Sequence, residues 1–237
     1  MRNWLRVCLR LFYPARCYVC GELTDTAHKL CARCAKTAPF IQPPVCEQCG
    51  RQQDRCICRH RERAFARCVS PFYHEGIMQA AVYRLKSKGY VDDVEGFANE
   101  MREIIRREYG GIPFSCVTAV PLHKKDYRRR GFNDADLLGR ALAARLDVPY
   151  KPLLQKIWYT RPQKELKALE RSGNLLGVFD VTEPDAVAGQ TVLLVDDVIT
   201  TGATLDECAK MLKIYGAQEV YAVTVAATLL KKTENDV

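Results

Sequence analysis

Neither GxxxxGK[ST] nor GxGxxG occurs in this 237-residue chain, which sets aside a P-loop and a dinucleotide-binding fold. No apolar run approaches the length of a membrane span. The amino terminus, Met1 to Tyr13, has Arg2, Arg6 and Arg10 among its apolar residues and no small-residue cleavage site, so a cytoplasmic protein is expected. A low-complexity linker is also lacking. With 48% hydrophobic residues and 27% charged ones, the chain is not disordered and has room for one substantial core plus a small module.

Cysteine is abundant and unevenly placed, since ten of the twelve precede residue 70 and eight fall into close pairs. Cys17 and Cys20 are followed by Cys31 and Cys34, then Cys46 and Cys49 by Cys56 and Cys58. Two thiolates on one knuckle can reach one tetrahedral Zn²⁺, and a second knuckle completes the four ligands. Two sequential four-cysteine sites are the simplest assignment. A cross-braced pairing uses the same residues, His60 is an alternative ligand in the second quartet, and a redox dithiol is the competing chemistry. Cys8, Cys68, Cys116 and Cys208 lie outside the pattern and read as buried apolar residues. A segment this short buries too little apolar surface to fold alone, so removing zinc is expected to unfold it selectively.

Positive charge gathers in the same segment: residues 1–75 hold 13 Lys and Arg against 6 Asp and Glu, seven of the chain's eight net positive charges. Eight thiolates and two Zn²⁺ would reduce that excess to about +3. Arg51, Arg55, Arg59, Arg61, Arg63 and Arg67 follow one another around the second knuckle. They form a candidate contact for nucleic-acid phosphates, and a solvated charged surface is the plainer reading.

Beyond residue 68 the pattern alternates. Val69 to Tyr73 reads as a first strand, and Ile77 to Leu85 and Val94 to Ile105 suit helices. Cys116 to Val120 reads as a core strand, 133–146 as a helix, 178–181 as a strand, 192–195 as a buried strand, 205–215 as a helix and 218–226 as a last strand. The expectation is an α/β fold, a parallel sheet covered on both faces with its site at the carboxyl ends of the strands. Residues 1–68 would form the metal module and 69–237 the α/β domain.

Val192 to Leu205 is the most informative stretch, an apolar strand running into two carboxylates and a hydroxyl-rich turn that opens a helix. Unpaired N–H groups at such a helix start attract phosphate. Thr200, Thr201 and Thr204 add hydroxyl donors, Gly202 and Ala203 let backbone approach a ligand, and Asp196 and Asp197 can accept bonds from ribose hydroxyls. An acidic pair holding Mg²⁺, or a strand-loop-helix with no ligand, is the alternative. The segment resembles the phosphoribosyl-pyrophosphate (PRPP) signature of type I phosphoribosyltransferases. A second basic loop, Leu122, His123, Lys124 and Lys125 followed by Arg128, Arg129 and Arg130, begins where a core strand ends. It can supply backbone donors and cations to pyrophosphate, its arginines lying on a mobile loop, or be a surface charge run. Thr160 to Asn174 carries Arg161, Gln163, Arg171 and Asn174, polar enough to line a pocket.

Together, the paired CxxC knuckles, Arg128 to Asn133, Thr160 to Asn174 and Leu193 to Leu205 resemble the ComF family of phosphoribosyltransferase-like competence proteins across nearly the whole chain. The resemblance implies an amino-terminal zinc-finger module, a type I phosphoribosyltransferase fold, and DNA uptake with a ComF helicase partner. It makes Asp196 and Asp197 the ribose-binding acids, Thr200 to Thr204 the 5′-phosphate loop and Leu122 to Lys125 the pyrophosphate region. Asp134 departs from the family, which commonly has Gln there. Were the site catalytic, pyrophosphate would leave C1 of PRPP with Mg²⁺ neutralising it, assisted by Lys124, Lys125 and Arg128 to Arg130. No base for an acceptor is named, His123 being as suited to bonding pyrophosphate. Three functions remain: a PRPP-binding protein of DNA uptake that contacts single-stranded DNA or a helicase through its zinc module, an active transferase, or an assembly scaffold.

Overall fold

The computed structural model describes residues 15–24, 30–56, 58, 62–157 and 177–229. In chain order the strands are β1 (Arg67–Val69), β2 (Phe72–Tyr73), β3 (Cys116–Ala119), β4 (Leu154–Lys156), β5 (Phe179–Val181), β6 (Thr191–Ile199) and β7 (Glu219–Ala227). The α-helices are α1 (Ala32–Thr37), α2 (Ile77–Lys88), α3 (Val91–Glu108), α4 (Lys124–Arg130), α5 (Asp134–Leu146) and α6 (Ala203–Ile214).

β6 is central because residues 192–195 are apolar without alternation, the pattern of a strand covered on both faces. All four have no exposed surface. β6 pairs in parallel with β7 and β3, and β7 also pairs in parallel with β1 and β2, giving the order β1-β7-β6-β3. Leu193 and Val195 face a core built with α2, α3 and α5, whereas Val192 and Leu194 face one built with α6, β4 and β5. Successive strand residues point to opposite faces, so one strand serves two cores.

Three expectations change. The strand at 178–181 is not part of the parallel sheet but pairs antiparallel with β4 as a separate ribbon. Its alternation explains this, since Phe179 and Val181 are buried while Asp180 between them is not, as in a strand covered on one face. The arginine loop is the helix α4, started by His123, whose Nδ1 accepts from the Lys125 amide at 3.2 Å, and ended by Gly131, whose amide bonds Tyr127 O at 2.7 Å. The first strand also starts two residues ahead of Val69, at Arg67.

The cysteine-rich segment packs on the sheet directly. Cys17, Tyr18, Val19 and Cys34 are buried in the α2–α3–α5 core, and Ile41 and Phe65 in the other. The Tyr18 ring lies edge-on to Phe97, 5.2 Å between centroids, where a side chain at position 96 would strike it, so α3 carries Gly96 at the contact. Arg84 on α2 donates to Tyr18 O at 2.7 Å and to both Asp93 oxygens at 2.7 and 3.0 Å, clamping the first knuckle. Gly50, at φ +67°, lies so close to Cys68 O that a Cβ would collide with it. No helix among the described residues is long and apolar enough to cross a membrane.

Candidate functional site

Cys17, Cys20, Cys31 and Cys34 gather in one group, and Cys46, Cys49, Cys56 and Cys58 in another, each with its sulfurs within 4.8 Å of one another. The sequential pairing therefore holds and the cross-braced one does not. Tetrahedral Zn–S bonds of about 2.3 Å set sulfurs about 3.8 Å apart. The distances from Cys20 to Cys31, 3.7 Å, from Cys46 to Cys58, 3.6 Å, and from Cys49 to Cys56, 3.4 Å, fit that size. Amides point at the sulfurs as well: Cys31 N donates to Cys17 Sγ and Cys34 N to Cys31 Sγ, each at 3.4 Å. Such bonds favour thiolate, and the Cys31 thiol is pulled down to about 7, first by the Cys34 amide. Cys68, Cys116 and Cys208 are wholly buried, as expected. Cys8 and His60 lie outside the described residues.

The second constellation sits at the carboxyl end of β6, which continues through both carboxylates to Ile199. Asp197 is 7% exposed; its Oδ1 accepts from the Val198 amide at 2.8 Å and its Oδ2 forms an ion pair with Lys86 of α2. Asp196 accepts from the Asp197 amide at 2.9 Å and keeps part of its surface open. Burial pushes the Asp196 carboxyl up to about 7, and Asp134 adds to the rise while Lys86 and Lys156 oppose it. Gly202, at φ +81°, turns the chain into α6. A left-handed residue is needed there, which glycine supplies without strain. Thr200, Thr201, Gly202, Ala203 and Thr204 thus form a tight loop ending at a helix start.

β3 lies beside β6 in register, Ala119 opposite Val195, and the Val120 amide donates to Val195 O at 2.9 Å. That pairing ends β3 at the edge of the sheet where β6 carries its acidic pair, and Leu122, His123, Lys124 and Lys125 follow there in the chain. Arg129 is paired with Asp126 at 3.0 Å and Arg130 with Asp134 at 3.7 Å. Asp134 is 5% exposed and is the partner of Arg130. Lys156 on β4 was invisible to sequence reasoning. Burial lowers its ammonium's pKa, while Asp126 and Asp196 lie near enough to raise it. Lys86 was missed too, because a lysine in the last turn of a helix reads as a complement to the helix dipole.

Among the described arginines of the patch, Arg51, Arg63 and Arg67 are engaged by the fold. Arg51 is 2% exposed and donates to Thr228 O at 2.9 Å, Thr200 O at 2.6 Å and Ile199 O at 3.3 Å. Arg63 donates to Thr201 O at 2.7 Å. Arg67 is paired with Glu108 at 2.5 Å. A guanidinium is a fork of donors, and buried carbonyls at strand ends claim it before solvent does. Arg55 keeps 46% of its side chain exposed, 3.9 Å from Glu75 and over the Tyr73 ring. Arg59, Arg61 and the 160–174 segment lie outside the described residues. Two surface grooves of about 560 and 400 Å³ have linings without the acidic pair or the loop at 200–204.

Residues 8–70 match the double zinc ribbon domain model and residues 135–236 the phosphoribosyl transferase domain model. The DNA utilization protein YhgH of Salmonella typhimurium is 30% identical over 95% of this chain and 96% of its own. Competence protein F of Haemophilus influenzae is 29% identical, over 88% of this chain and 95% of its own. A crystal structure of adenine phosphoribosyltransferase matches 64% of this chain and 85% of that one at 18% identity, with a TM-score of 0.39. With a zinc ribbon at one end, a phosphoribosyl transferase sheet at the other and near full-length similarity to these relatives, the chain belongs to the family of competence protein F and the DNA utilization protein YhgH.

Proposed function

We propose that this chain binds PRPP together with Mg²⁺ at the carboxyl end of β6 and works in the cytoplasm in DNA uptake and natural transformation. The reading is carried by one juxtaposition, the acidic pair and hydroxyl loop of β6 beside the basic end of β3. Amides and hydroxyls of Thr200 to Thr204 hold the 5′-phosphate, Asp196 and Asp197 accept from the ribose hydroxyls, and Leu122 to Lys125 meet the pyrophosphate, with Arg128 at hand. Hard oxygen donors, a carboxylate and a pyrophosphate, suit Mg²⁺, which when bound neutralises the pyrophosphate. Calorimetry with PRPP and MgCl₂ tests the pocket. A one-site isotherm is expected that Asp196→Ala with Asp197→Ala abolishes, and an unchanged isotherm in that variant would place the ligand elsewhere.

The names of the relatives support the DNA role. Arg55, with Arg59 and Arg61, is the proposed contact for single-stranded DNA or a helicase partner, since its guanidinium is half exposed. Binding should weaken steeply with salt, and replacing these three arginines should flatten the slope. Salt-insensitive binding would remove this contact. A second reading, an active transferase, is favoured by Lys156, a cation on the β4–β5 ribbon within electrostatic reach of Asp196. Pyrophosphate release from PRPP, screened against bases and amines, decides it, and a rate equal to spontaneous hydrolysis would leave binding alone.

A further inference from the structure

The phosphate loop is held by the cysteine-rich segment as well as by its own domain, where the Thr228 amide donates to Ile199 O at 2.9 Å. Arg51 follows Gly50 at the tip of the second knuckle, whose turn is fixed by Gly50 N to Cys46 O at 2.9 Å and Cys46 N to Arg51 O at 2.7 Å. From there its guanidinium grips Ile199 O, Thr200 O and, on the end of β7, Thr228 O. Arg63, just past the second quartet, takes Thr201 O, and the Ala64 amide takes Asp206 Oδ1 at 2.7 Å in the first turn of α6. Three successive carbonyls, of residues 199, 200 and 201, thus each accept from an arginine of that segment.

In a trans peptide the C=O of one residue and the N–H of the next point in opposite directions. Fixing the carbonyls of Ile199, Thr200 and Thr201 therefore fixes the N–H groups of Thr200, Thr201 and Gly202, each pointing away from the arginine that holds the preceding carbonyl. Successive amides held parallel make an anion-binding concavity, and their affinity depends on not having to reorganise. We propose that Arg51 and Arg63 are positioning residues that pre-aim the loop amides, so that the integrity of the second cysteine quartet, and not of the first, sets how tightly the loop takes phosphate. The ligand part of this inference rests on the PRPP reading above; the loop part does not. The first quartet cannot substitute, because its knuckle is tied to Arg84 on α2 and to Tyr18 against α3. Zinc fits the second quartet by its sulfur spacing, and its contribution here is to hold the knuckle that carries Arg51.

Amide hydrogen exchange on the full zinc-loaded chain, followed by mass spectrometry, reads the loop without any ligand. Arg51→Gln, Arg63→Gln and Cys56→Ser should each speed exchange at least tenfold at Asp206 and Thr228, whose amides bond the loop carbonyls Gly202 O and Ile199 O at 2.9 Å, while residues 134–146 keep wild-type rates. Cys20→Ser should leave the loop within twofold, and Arg63→Lys should recover part of the protection. Calorimetry with PRPP and MgCl₂ on the same proteins should show at least a tenfold loss of affinity for the first three. Arg63 is partly exposed, so Arg63→Gln keeps the test open if Arg51→Gln fails to fold. Unchanged loop exchange in Arg63→Gln and Cys56→Ser would overturn the proposal. Faster loop exchange in variants of a chain that never bound PRPP would uphold the positioning and sink only the ligand assignment.

Discussion

Asp196 is a carboxyl group under the influence of two lysines, Lys86 and Lys156, which ought to make it easy to ionise. It is not, because removal from water outweighs both, and the neighbouring charge of Asp134 adds to the rise. With its pKa up near 7 against an ordinary 3.8, the native protein keeps this proton through a range in which the unfolded chain has lost it. Stability contributed by the neutral form is complete below the unfolded value and disappears as pH rises through the folded one. On the proposed PRPP reading, ligand binding has the opposite sign, since ribose hydroxyls would donate to the ionised form. Between pH 6 and 8, PRPP affinity should gain about tenfold more in the wild type than in Asp196→Asn, by titration of one group near 7. Parallel pH profiles for the two proteins, measured by calorimetry, would show that Asp196 is not the titrating group.

At the scale of elements, the long and strongly patterned ones were legible. The apolar positions of α2, α3 and α5 recur at helical spacing, and the run at 192–195 was uniform enough to mark a doubly covered strand, so the central sheet and the acidic rim could be read ahead. The antiparallel ribbon could not, because β4 is three residues long and nothing local marks its partner 25 residues on. Nor could the fate of the arginines. Their charge suggested solvent, whereas the decisive fact is which carbonyls the fold leaves without a partner at the ends of β6 and β7, and that is known only once the strands are assembled. Arg84 belongs to the same class. It bridges α2 to the first knuckle and is the partner of Asp93, which is 2% exposed and whose carboxyl is pushed up by burial. Arg84→Ala leaves that carboxylate alone in the interior and should cost about 3–5 kcal/mol in chemical denaturation. A loss under about 1 kcal/mol would mean that the clamp is a surface pair.

Over the whole molecule, the expectation that zinc loss unfolds one module selectively has to be revised. Cys17, Tyr18 and Cys34 lie in the same core as α2, α3 and α5, and Phe65 in the same core as α6. Such shared burial couples the two parts. Chelation should therefore lower the thermal midpoint of the entire chain in one transition, with far-ultraviolet and tyrosine near-ultraviolet circular dichroism moving together. Two separate transitions, the earlier one leaving most of the helical far-ultraviolet signal in place, would restore the picture of independent modules.

Gly50 resting against the Cys68 carbonyl, and the guanidinium beyond it, also bear on how such a protein can be rebuilt. A chimaera joined at the apparent border near residue 66 would bring a foreign ribbon to strand ends shaped for another, with mismatched grips on both sides of the cut. Heredity faces the same obstacle as the engineer: the two halves must change in concert, and a crossover at that border is the exchange least apt to leave a working molecule.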